Sequence, residues 1–89
     1  MEHRDIFYSG RVQGVGFRYT TYRVAQGFRI VGYVKNLDDG RVQLVVEGEP
    51  AEIDTFQARL ADAVGANVQA AEVHSGPPQN RWIDFSIQH

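Results

Sequence analysis

Two glycines, an arginine and the start of a helical pattern fall together in Val12-Gln13-Gly14-Val15-Gly16-Phe17-Arg18. Gly14 and Gly16 have no Cβ, so the backbone can curl there and an anion can approach its N–H groups closely. A helical period begins at Phe17, which adds unpaired N–H groups and the positive end of the helix dipole. Arg18 falls in the first turn, where its guanidinium can reach the same anion. Its planar fork pairs two phosphate oxygens at once and does not lose its charge. The chemistry indicated is binding of a phosphate-like anion. The same spacing suits a plain strand-to-helix turn with a surface arginine, and these residues alone leave both readings open. Two better-known phosphate loops do not fit. No Gly-Lys-Ser/Thr triplet is present, and the dinucleotide fingerprint needs a third glycine and a parallel βαβ unit.

Few other residues offer chemistry. There is no cysteine, hence no thiol nucleophile and no thiolate metal site. His3, His74 and His89 lie far along the chain from the loop and read as surface residues. They lack metal-ligand spacing, and no carboxylate cluster suggests magnesium. Asp38 and Asp39 suit a hairpin turn. Asn36 stands just before that turn, and its own position favours a capping or special-backbone role. The formal net charge of -2 disfavours a nucleic-acid partner. Yet Arg11, Arg18, Arg23, Arg29 and Lys35 fall in a stretch without Asp or Glu, so a local positive field over a small anion is compatible with an acidic chain.

The elements that must position these residues follow from periodicity. Arg4 to Arg11 reads as a first strand ending at Gly10. Phe17, Thr20 or Thr21, Val24 and Phe28 share a helix face, and Gly27 would end that helix. Ile30 to Asn36 is a second strand. Leu37-Asp38-Asp39-Gly40 is a turn in which Asp39-Gly40 supplies positive φ values. Arg41 to Glu47 alternates, with Val42, Leu44 and Val46 on one face. Pro50 opens a second helix carrying Ile53, Phe56, Leu60, Ala63 and Val64, ended by Gly65. Val68 to Ser75 is a weaker strand. Arg81 to Gln88 is a last strand with Ile83, Phe85 and Ile87 inward. The order βαββαβ, with room for an extra terminal strand, predicts an α+β sandwich of the ferredoxin-like kind. It is an antiparallel sheet of four to five strands with two helices on one face.

At 89 residues the expectation is one domain over 1–89 with one core. No apolar run approaches the roughly 18 residues of a membrane span. The charged N-terminus, Met1 to Asp5, leads into no signal-like stretch, so no membrane partner is expected and a cytoplasmic location is the default. No long apolar edge demands a partner chain, and a monomer is expected.

Gly10-Arg11-Val12-Gln13-Gly14-Val15-Gly16-Phe17-Arg18 resembles the signature of the acylphosphatase family. A second family motif follows in Gly32-Tyr33-Val34-Lys35-Asn36, then Asp39-Gly40-Arg41-Val42 and Glu47-Gly48. The resemblance spans essentially the whole chain. Tyr33 stands where the family often has Trp, and Lys35 where it often has Arg. The resemblance implies hydrolysis of an acyl phosphate to a carboxylate and inorganic phosphate, with no metal and no cofactor. It implies that inorganic phosphate, the product, is also a competitive inhibitor. Residue by residue, it implies that Arg18 binds the phosphoryl oxygens. The backbone amides of Gln13, Gly14, Val15, Gly16, Phe17 and Arg18 cradle the same group, and Asn36 orients the attacking water.

Two rivals are weaker. Val15 to Tyr19 is faintly similar to an RNA-recognition aromatic motif, but that motif lies on an inner strand and this run enters a helix. An acylphosphatase-like domain of a carbamoyl-phosphate-processing protein normally belongs to a much longer chain. Completeness at one domain is the expectation that favours a stand-alone enzyme.

Overall fold

The computed structural model describes all 89 residues. Its elements are β1 (Glu2–Gly10), α1 (Phe17–Ala25), β2 (Ile30–Asn36), β3 (Val42–Gly48), α2 (Pro50–Val64), β4 (Val68–Gly76) and β5 (Phe85–Gln88). A 3-10 turn over Gly65–Asn67, not foreseen from the sequence, joins α2 to β4. The strands form one sheet in the order β4-β1-β3-β2-β5. This is the ferredoxin-like sandwich.

One pairing departs from the antiparallel expectation. β1 pairs antiparallel with β3 and β4, and β2 with β3, but β5 runs parallel to β2. The chain leaves β4 at one edge, crosses the helix-free face and returns along the opposite edge. β2 already runs opposite to β4, so the returning strand lies parallel to β2 and the sheet is mixed. β5 is also shorter than expected. Ile83, expected inward, is 97% exposed because residues 81–84 belong to the crossing rather than to the strand.

Period-2 alternation turns Ile6, Tyr8, Val34, Val42, Leu44 and Val46 to the helix side. Helical spacing turns Phe17 and Ala25 of α1, and Ile53, Phe56, Leu60 and Val64 of α2, onto them. Phe56 is fully buried, with edge-on rings of Phe28 and Phe85 at 5.9 and 6.2 Å between centroids. Thr21 is fully buried too, and its hydroxyl donates to the carbonyl of Phe17 at 2.8 Å. No helix is long and apolar enough to cross a membrane.

The other face is not bare. Val45 and Glu47 are both 2% exposed there, because the crossing segment lies over them. Glu47 accepts from the amides of Gln79 (2.8 Å) and Asn80 (3.1 Å) and is 2.7 Å from Nδ1 of His3. Trp82 packs against the rings of His3 and Tyr33. His3 is therefore buried rather than a surface residue, because a chain end that joins a central strand is covered wherever another segment crosses it. Burial, the largest influence on Glu47, would raise its pKa. The Gln79 amide, His3 and the Asn80 amide together outweigh it and hold the carboxyl below its ordinary range. The stability it supplies is therefore present above the ordinary glutamate pKa and lost as pH falls through the lowered one. Glu47→Gln is expected to cost about 1–2 kcal/mol at neutral pH, as charge-assisted hydrogen bonds become neutral ones. Thermal unfolding should show the gap between parent and variant closing in acid. A gap that widens as pH falls would contradict this account.

Candidate active site

The curled backbone expected between β1 and α1 is present. Gly14 and Gly16 have φ of 75° and 80°, the left-handed region that side chains disfavour. A Cβ at either would meet nothing within 4 Å, so conformation and not crowding calls for glycine. Val12 anchors the loop's base at 1% exposure, and Phe17 anchors its far end at 2%. Phe17 stacks at a tilt on Tyr8, 5.1 Å between centroids. Gly16 occupies the cap position of α1, with no side-chain cap and no acid in the first turn. The first amide here to bond backward is that of Thr20, to the carbonyl of Gly16 at 3.0 Å. From Val12 to Tyr19 no backbone amide donates to an acceptor within the protein. A consecutive run of free N–H groups at a helix N-terminus is the backbone arrangement that suits an anion.

Three contacts bring this loop to one end of the sheet. The side-chain nitrogen of Gln13 donates to the carbonyls of Leu37 (2.7 Å) and Arg41 (2.9 Å). These residues face each other across the β2–β3 hairpin, where the Leu37 amide donates to the Arg41 carbonyl at 2.8 Å. Arg18 Nη1 donates to the carbonyl of Gln88 at 3.0 Å, and Gln88 pairs with Lys35 of β2. Asn36 is the last residue of β2, next to both Lys35 and Leu37. Loop, Arg18 and Asn36 thus meet at the end of β2.

Of the two readings of Asn36, the capping or special-backbone one finds no contact to rest on. Asn36 does not cap the turn. Asp39 does that, accepting from the Arg41 amide at 3.1 Å and its Nε at 2.8 Å. The amide first, then the guanidinium, holds the Asp39 carboxyl below its ordinary range. Nor is the Asn36 backbone left-handed. Gly40, at φ 94°, takes that conformation, and Asp39 does not share it as expected. One positive-φ residue suffices because the connection is longer than a two-residue hairpin. The Asn36 Oδ1 atom is instead buried and without a hydrogen-bond partner in the protein, an uncommon arrangement for a buried acceptor.

Two features were missed in the sequence. His89 seemed remote from the loop, yet its Nδ1 is 3.1 Å from Arg18 Nη1. The side chain of Gln13 drew no attention beside its amide. A long amide side chain among the small residues of a tight loop was the available signal.

The acylphosphatase family model matches residues 4–87. An acylphosphatase of Archaeoglobus fulgidus is 47% identical over 77 residues, covering 80% of this chain and 86% of that protein. The crystal structure of acylphosphatase from Bacillus subtilis superposes with a TM-score of 0.89 at 32% identity, covering all of both chains. The T. kodakarensis HypF structure matches this whole chain with a TM-score of 0.84 at 35% identity, over 12% of its own length.

Proposed function

Because this chain belongs to the acylphosphatase family and is a hydrolase, we propose that it cleaves an acyl phosphate with Arg18 and the loop amides on phosphate and Asn36 on water. The free amides of Val12 to Tyr19 carry the proposal. They supply unpaired donors at the start of α1, and Arg18 in its first turn adds a permanent charge. The charge spread over the equatorial oxygens of the transferring phosphoryl group grows in reach of both.

Water attacks phosphorus in line as the bond from phosphorus to the acyl oxygen breaks. That oxygen leaves with the electron pair as a carboxylate, a weak base needing no general acid. The side-chain amide of Asn36 hydrogen-bonds the attacking water and fixes its direction. Asn is a poor base, so the water's proton passes to a phosphate oxygen. A substrate this activated asks mainly for positioning and charge stabilisation. No step of the route draws on a metal or on an ionisable side chain near neutrality.

Hydrolysis of benzoyl phosphate in the presence of a chelator tests the scheme. Turnover should persist undiminished, with inorganic phosphate a competitive inhibitor. Loss of activity on chelation would refute the metal-free route.

A further inference from the structure

The Gln13 side chain has a geometry that a loop residue does not need for binding an anion. Both of its neighbours are carbonyl oxygens, so the amide can only face them with its nitrogen, whose two N–H groups serve one acceptor each. Its partners are the two ends of the hairpin mouth that follows Asn36. The hairpin does not depend on it. The Leu37 carbonyl also accepts from the Gly40 amide at 3.2 Å, and the Arg41 carbonyl accepts from the Leu37 amide. What Gln13 adds is a fixed separation between the loop and the end of β2.

We propose that Gln13 is a positioning residue of the hydrolysis, setting the distance between the phosphate on the loop and the water on Asn36. The role rests on the function proposed above. In-line attack needs the reacting atoms aligned at close approach, and a misplacement of about 1 Å costs about 10²-fold in rate. A staple between the two half-sites controls that distance without touching substrate.

Gln13→Met keeps the length and removes both donors. Gln13→Asn keeps the donors but is one methylene too short to reach both carbonyls. Each is expected to lower kcat on benzoyl phosphate by about 10–100-fold. Inhibition by inorganic phosphate should stay within about threefold of the parent, and the thermal midpoint should barely move. In an Asn36→Ala background, Gln13→Met should cost less than a further threefold or so, because the geometry it sets has lost its purpose. Parental kcat in both Gln13 variants overturns the proposal, as does a full additional loss in the double variant. If Asn36→Ala alone keeps parental kcat, the water-orienting reading fails first and this one with it. A crippled Asn36→Ala beside an unaffected Gln13→Met sinks this inference alone.

Discussion

Arg18→Lys is expected to lower kcat/KM on an acyl phosphate by at least about 10²–10³-fold, the loss typical when one preorganised oxyanion donor is removed. Charge is conserved in this variant, so a site relying on long-range attraction would barely notice it. A site relying on a fork would fail. Lysine is a compact point charge with rotatable donors, whereas arginine offers two parallel N–H groups in a fixed plane. Arg18 is also held from behind, one nitrogen donating to the carbonyl of Gln88 and facing His89. A lysine would have to choose between that tether and the substrate. Steady-state kinetics together with phosphate inhibition decide the matter, since both should weaken. Activity within tenfold or so of the parent would remove Arg18 from the proposed site.

Asn36→Ala should separate chemistry from binding. Turnover is expected to fall by about 10²-fold or more, through loss of orientation of the nucleophile. Inhibition by phosphate should survive, because the loop amides and Arg18 remain. Stability should hold or rise slightly. Oδ1 of Asn36 is buried and unpartnered in the protein, and removing such an acceptor relieves a desolvation cost of about 1–3 kcal/mol that offsets the lost packing. Falling turnover with a steady or higher thermal midpoint is the signature of a group kept for function. A collapse of phosphate affinity and stability would instead make Asn36 a structural residue.

Much of this molecule was legible along the chain because its signals are local. Period-2 and period-3.6 spacing located the strands of the hairpin and both helix faces. Two glycines before Phe17 marked the curl, and Pro50 and Gly65 marked the ends of α2. The motifs around Arg18 and Asn36 pointed to the family that the comparisons then identified. Such signals survive in sequence because each depends on a residue and its near neighbours, through backbone φ, capping or side-chain alternation.

What only the tertiary structure decided involves partners far apart in the chain. The direction of β5 depends on where the crossing segment leaves and returns. His3, unremarkable at a chain end, became buried because residues 77–84 pass over β3 and bring the Gln79 and Asn80 amides to Glu47. Gln13 found backbone carbonyls, which every residue carries and which leave no mark in a sequence. The approach of His89 to Arg18 spans a separation of 71 residues. The residues Val12 to Arg18 by themselves determined that the backbone would curl ahead of a helix, with an anion site as one of two readings. The tertiary structure decided that the hairpin mouth following Asn36 would be tied to that loop, through the side chain of Gln13.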